Sequence, residues 1–141
     1  MDEQRMNRNK NINRGFRQLE IWQKAIKIYK MAHDLLSKKN NIPFKVRAQI
    51  EDSALSISSN IAEGYSRRTL KENLRFYEIA LSSSAENYSQ MFALHTADQI
   101  ADEDFDIYDN HLYELENKLI KMNKSLILKL SSNSNWNSDY Q

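Results

Sequence analysis

Glycine and proline are almost missing from this chain: two glycines and one proline in 141 residues. Strand-rich architectures need frequent tight turns, and tight turns draw on those residue types. Long helices need neither. Apolar residues return at alternating steps of three and four, the spacing that lines one face of an α-helix. The expected fold class is all-α, and the length is one domain's worth with a core of useful size.

Four helical segments follow from that spacing. The first runs from about Arg17 to Ser37, with Leu19, Trp22, Ile26, Tyr29, His33 and Leu36 as its inward stripe. Asn40, Asn41 and Pro43 end it. The second runs from about Pro43 to Glu63, with Val46, Ile50, Ala54, Ile57 and Ile61 inward. Proline is tolerated at a first helical position, and Gly64 is expected to supply a left-handed C-terminal cap. The third runs from about Leu70 to Ala97, opened by a Thr69/Glu72 capping box. Its stripe is Leu70, Leu74, Tyr77, Leu81, Ser84, Tyr88, Met91 and His95. The fourth runs from about Glu103 to Leu130, with Phe105, Tyr108, Leu112, Leu115, Leu119, Met122 and Leu126 inward. Acids crowd its start and lysines its end, both complementing the helix dipole. Short connections make neighbours antiparallel, so the expected architecture is an up-down-up-down four-helix bundle over 17–130. Residues 1–16 read as a flexible N-terminal arm and 131–141 as a polar, frayed tail.

Helix one carries a second apolar stripe, Ile21, Ala25, Ile28, Ala32 and Leu35. Either the bundle is broad and irregular, or this stripe packs on another subunit and the protein is a homo-oligomer. Tyr113, Ile120 and Ile127, seven residues apart on helix four, repeat the theme more weakly.

Little in the chain points to chemistry. With no cysteine, disulfides, thiolate zinc sites and thiol nucleophiles are excluded. His33 and His95 lie on expected core stripes, with His111 along helix four. The residues three before them are Lys30, Phe92 and Tyr108, so the Glu-x-x-His pairs of di-iron bundles are missing. A histidine on an apolar stripe is more often a hydrogen-bonded core residue than a ligand. No arginine stands in the seven residues before any histidine, which removes the helical-nuclease pattern. Ser82, Ser83 and Ser84 have no activating base placed by sequence, and small residues at helix spacing more often permit close packing. The acids from Asp102 to Asp106 lack the glycine turn and final glutamate of a calcium loop. No cofactor, metal or catalytic residue is expected. No apolar run approaches the ~20 residues that span a membrane, and the N-terminus lacks a signal-peptide core. A cytoplasmic location without a membrane partner is the expectation.

Net charge is +1 but uneven. Residues 1–50 hold 12 Lys/Arg against 4 Asp/Glu, and residues 51–141 hold 8 against 15. In an antiparallel bundle Arg14, Arg17, Arg67, Arg68, Lys71, Arg75, Lys121, Lys124 and Lys129 share one pole with only Glu20, Glu63 and Glu72, a balance of +6. Two readings stand side by side. Lysines at helix ends complement dipoles and keep a protein soluble. Arginines in a turn suit phosphate, because the planar guanidinium donates in a fork.

The stretch SNIAEGYSRRTLKENLRFYEIAL, residues 59–81, resembles the signature of the four-helix-bundle proteins of the 23S rRNA intervening-sequence family, and LEIWQKAIKIY from Leu19 resembles its first helix. That family is related to the accessory variability determinant of diversity-generating retroelements. The resemblance covers about Leu19 to Leu130. It implies a non-enzymatic bundle that assembles into a ring, typically a pentamer, and it transfers no catalytic residues. Glu51 and Asp52 stand where the family tends to carry arginines, and Ser58 where it tends to carry proline. The functional expectation is a homo-oligomeric scaffold engaging RNA, DNA or a ribonucleoprotein through its basic pole. The alternative is a protein-binding adaptor or structural ring with no nucleic-acid role.

Overall fold

A computed structural model describes the backbone of residues 2–138 and the side chains of residues 2–132. It is helical: α1 (Glu3–Met6), a 3-10 helix (Ile12–Gln18), α2 (Glu20–Ser37), α3 (Phe44–Ser66), α4 (Leu70–Thr96) and α5 (Asp102–Ser138). The four long helices pack in cyclic order, each on the next and α2 on α5. Their cross-contacts fix direction. On α3 and α4, Ser53 meets Gln90 and Ser56 meets Ser83. His33 meets Glu51, Lys24 meets Glu114, and Asn87 meets Tyr108. Sequence number rises on one helix as it falls on its neighbour, so every adjacent pair is antiparallel.

Each helix end has a local cause. Thr69 accepts from the Glu72 amide at 3.2 Å and opens α4. The Glu72 carboxylate takes the Thr69 hydroxyl rather than its amide, so the capping box forms on one side only. Asp98 closes α4 with a left-handed φ of 59°. The Gln99 and Asp98 amides return to the Leu94 and His95 carbonyls, which is a Schellman closure.

Gly64 does something other than the expected left-handed cap. No glycine among the described residues has a positive φ, and α3 runs on to Ser66. A β-carbon at Gly64 would lie 2.9 Å from the Tyr77 ring and 3.0 Å from the Phe76 Cβ. The glycine therefore lets α4 approach α3. Its carbonyl, like that of Arg67, is taken by the Asn73 side-chain amide, which ends α3 in place of a glycine cap.

The core is built from Ile50, Ala54, Ile57 and Ile61 of α3, Tyr77 and Met91 of α4, and Phe105, Tyr108, Leu112, Leu115 and Leu119 of α5, as the spacing predicts, with Ala80 buried where the stripe predicts Leu81, which is only partly buried. Val46 and Tyr88 are exposed instead. On α2 the second stripe turns inward and most of the first moves to the boundary, while Leu36 of the first stays buried as expected. Ile21, Ala25, Ile28 and Ala32 are buried at 7%, 0%, 1% and 0%, inside the single chain, with Leu35 packed partly buried beside them. They are not available as a subunit interface. Trp22, Ile26 and Tyr29 form the boundary, and His33 faces outward.

A polar cluster crosses this core. The buried Tyr108 hydroxyl donates to Asn87 Oδ1 at 2.5 Å. Asn87 Nδ2 donates to Ser53 Oγ at 3.1 Å and to the Ile50 carbonyl at 3.3 Å. Ser53 in turn donates to Gln90. Buried polar groups are tolerated only when partnered. This set has partners only when α3, α4 and α5 hold one register.

The expected arm is structured. Gly15 of the 3-10 helix sits against Tyr65, where a β-carbon would come within 2.8 Å of the ring, and the segment packs on α2 and α3. First-helix geometry therefore starts at Glu20, not Arg17. At the other end α5 continues to Ser138, because residues 131–138 contain neither glycine nor proline to stop it. Of the expected frayed tail, residues 139–141 lie outside the described residues.

Candidate nucleic-acid interface

The basic pole assembles by topology. Asn87 pairs with Tyr108 and His95 with Asp102, so the same register puts Lys71–Arg75 of α4 level with Lys121–Lys124 of α5. The start of α2 and the end of α3 share that end, because Glu20 bridges to Lys118 at 3.3 Å and Asn73 reaches the end of α3.

The structure then divides the predicted cations into two groups. Arg17 is half-buried and donates to the Arg5 carbonyl at 3.2 Å and to the Asn9 carbonyl at 3.5 Å. Arg14 donates to the same Asn9 carbonyl at 3.3 Å. Asn9 has a left-handed φ of 51°, so the two arginines hold a bend of the N-terminal segment. Arg67 donates to Glu63 at 2.5 Å and lies 4.7 Å over the Phe76 ring. A guanidinium so paired and stacked is half-neutralised and fixed.

Arg68, Lys71, Arg75, Lys121, Lys124 and Lys129 form the second group. All six are exposed, and none makes an ion pair among the described residues. Glu72 and Glu78 are the carboxylates on the same stretch of α4. A surface depression of about 970 Å³ runs past Lys71 and Arg75 toward Leu130, and a cleft of about 460 Å³ lies between Ile12, Tyr65 and Arg68. Side-chain ammonium and guanidinium groups that keep their donors in solvent hold a phosphate backbone by charge, with counterion release as the driving term.

The histidines do not converge. His33 bonds Glu51 at 3.1 Å, and His95 bonds Asp102 at 2.6 Å while stacking on Phe105. No group of three or more His, Asp or Glu among the described residues is placed to hold a metal ion. Ser83 bonds Ser56 and Ser84 bonds the Leu81 carbonyl, so both hydroxyls are used in packing. Among the described residues no helix is long and apolar enough to cross a membrane.

In the sequence reading one surface is marked only by Tyr113 of the weaker second stripe. Tyr88 and Phe92 of α4, four residues apart, are exposed beside Tyr113 of α5. Tyr88, Tyr113, Asp109 and Glu116 line a cavity of about 370 Å³. Burial, with the nearby Asp109 charge, raises the Glu116 carboxyl above the usual carboxylate range. The further available signal was the Tyr88/Phe92 pair, since position 92 falls off the core stripe.

These features define an antiparallel helical protein with a cationic end and an aromatic, acidic edge. The sequence match is narrower: residues 17–121 fit the model of the 23S rRNA-intervening sequence protein family, and the chain belongs to that family. A similar solved structure is a protein of unknown function from the S23 ribosomal protein family of Bacteroides thetaiotaomicron. It is 20% identical, with a TM-score of 0.69 over 74% of this chain and 98% of that one. At that identity the likeness concerns the fold. No curated protein matches the chain.

Proposed function

We propose that this protein is a non-enzymatic, homo-oligomeric scaffold that engages nucleic acid or a ribonucleoprotein through its cationic end. The observation that carries the reading is the set Arg68, Lys71, Arg75, Lys121 and Lys124, exposed at one end without ion-pair partners among the described residues. The family's name, 23S rRNA-intervening sequence protein, supports an RNA context, and a pentameric ring is the assembly that the family resemblance implies. A ring repeats the cationic end around its axis, so weak phosphate contacts add through multivalency. Recognition is expected to be largely sequence-independent, because these groups position a backbone but read few bases.

Anisotropy titrations with a structured RNA and a DNA duplex, across salt, test this. Affinity is expected to fall steeply with salt, and the triple variant R68A/K71A/R75A to weaken binding and flatten the slope. Arg67→Ala is expected to change binding less, since Arg67 is already held by Glu63 and Phe76. A wild type that binds neither probe at tens of micromolar would leave the second reading, a protein-binding adaptor. The exposed aromatic residues of the α4–α5 edge favour that alternative.

A further inference from the structure

The 3-10 helix and the turn between α3 and α4 enclose a cleft at the cationic end. Ile12 and Asn13 form one side, and Tyr65, Ser66, Arg67 and Arg68 the other, around about 460 Å³. That volume lies in the ~300–1,000 Å³ range of single-ligand sites. The walls are fixed before any ligand arrives. The Asn73 side chain donates to the Gly64 and Arg67 carbonyls and pins the turn. Arg67 is held by Glu63 and lies over Phe76, and Thr69 caps α4. Gly15, lacking a side chain, lets the 3-10 helix close on the edge of the Tyr65 ring.

Three chemistries meet in this cleft. Tyr65 is 41% exposed and Ile12 95% exposed, so an aromatic ring and an aliphatic side chain are left to solvent beside cations. The Asn13 amide and the Arg68 guanidinium are exposed, and neither makes a side-chain hydrogen bond or ion pair among the described residues. No carboxylate lines the cleft among the described residues, and nearby Glu63 is engaged by Arg67. A fitting ligand therefore has a flat apolar part, a polar edge and negative charge. Lys71 and Arg75 follow Arg68 at steps of three and four, so the cations continue past the cleft along α4. That continuation suits a chain of phosphates rather than one.

We infer that the cleft takes one unpaired nucleotide of a single-stranded segment, its base against Tyr65 and Ile12, its polar edge on the Asn13 amide and its phosphate on Arg68. Flanking phosphates pass on to Lys71 and Arg75. A duplex keeps its bases stacked inside and offers this cleft only its backbone. Stacking on an aromatic ring tolerates any sequence, because every base has a π-face. The inference rests on the nucleic-acid reading above and specifies the form of strand that it selects.

Anisotropy titrations at low salt test it with a short mixed-sequence single-stranded RNA and with the same strand in a blunt duplex. Wild type is expected to favour the single strand. Tyr65→Leu keeps bulk against Gly15 but has no π-face, and it is expected to lose ~5- to 100-fold in single-strand affinity and little in duplex affinity. Tyr65→Phe is expected to keep both. Ile12→Ser, at a position with almost no packing to lose, is expected to weaken the single strand alone. Independently of any variant's folding, iodouridine in the strand, irradiated in complex with wild type, is expected to cross-link to Tyr65, as located by peptide mass spectrometry. Excess adenosine monophosphate is expected not to displace the strand, since it lacks the flanking phosphates. Equal wild-type affinity for the two forms, an unchanged single-strand preference in Tyr65→Leu, or cross-links confined to residues outside the cleft would overturn the inference and leave the cationic-end reading in place. Displacement by the mononucleotide would assign the cleft to free nucleotides and would overturn it too. A wild type that binds neither form at tens of micromolar would refute the nucleic-acid reading beneath it, and the inference with it.

Discussion

Gly64→Ala separates two explanations of why α3 needs a glycine near its end. In a left-handed cap, any β-carbon is strained, and asparagine is the best replacement. In the observed geometry the backbone is helical, and alanine gains the helix propensity that glycine lacks, about 1 kcal/mol. Against that gain stands the added β-carbon, 2.9 Å from Cε1 of the 6%-exposed Tyr77 and 3.0 Å from Phe76 Cβ. Neither neighbour is the loose end of a flexible side chain, and overpacking of this kind costs about 1–3 kcal/mol. The net expectation is destabilisation of about 0–2 kcal/mol for alanine, and more for the larger asparagine, which reverses the order that a cap requires. Urea unfolding followed at 222 nm measures both. The cause is isolated by repeating Gly64→Ala in a Tyr77→Leu background, where removal of the ring atoms should recover about 1 kcal/mol as a coupling energy. If Gly64→Asn proved more stable than Gly64→Ala, or if the two sites were additive, the close-approach account would be wrong.

Three further outcomes follow from the same core. Tyr108→Phe leaves Asn87 Oδ1 buried without its donor, and urea unfolding should show a loss of about 1–3 kcal/mol. Ile28→Ala should lose about 2–5 kcal/mol, read as a lowered urea midpoint with the subunit number unchanged, because Ile28 is 1% exposed within one chain. The third concerns alkaline pH. Burial pushes the Tyr77 phenol up to about 12 from 10 and moves Tyr108 in the same direction. The folded protein then holds protons that the unfolded chain has released, so stability falls as pH rises from about 10 toward 12. Thermal unfolding across pH 8–12 should show that decline, and Tyr77→Phe should make it shallower.

What the sequence made legible is what periodicity encodes. Ile50, Ala54, Ile57 and Ile61, and the α5 series from Phe105 to Leu119, are buried as their spacing requires. Helix type, order and direction follow from such stripes and from short connections. Which of two adjacent stripes turns inward does not follow when both are apolar, as on α2. Hydrophobicity alone favours the Trp22/Ile26/Tyr29 side. Packing favours the other, because Ala25 and Ala32 at 0% exposure let neighbouring helices approach, while Trp22 and Tyr29 fit a boundary where one end of the ring stays wet. The weaker stripe at Tyr113, Ile120 and Ile127 remained outside, Tyr113 and Ile120 being one position past the core residues Leu112 and Leu119, and Ile127 one past the partly buried Leu126.

The candidate site was half legible for a related reason. Sequence placed nine cations at one pole but could not assign their partners. A guanidinium offers the same five donors to a phosphate, a carboxylate or a peptide carbonyl. Arg14 and Arg17 took carbonyls because the N-terminal segment bends back at Asn9, and that bend depends on packing of the 3-10 helix through Gly15 on Tyr65. Arg67 took Glu63 because the two are one helical turn apart at the end of α3. Among the three- and four-residue helical neighbours of Lys71, Arg75, Lys121 and Lys124 the only carboxylates are Glu72 and Glu78, both at Arg75, and neither makes an ion pair among the described residues. Cationic charge that local spacing fails to neutralise must be met by water, salt or another molecule. Exchanging Lys71 for Glu should therefore reduce nucleic-acid affinity while leaving the urea midpoint within about 0.5 kcal/mol of wild type, as expected for a surface position. A Lys71→Glu variant with lowered stability and unchanged binding would place that lysine in the fold rather than at the interface.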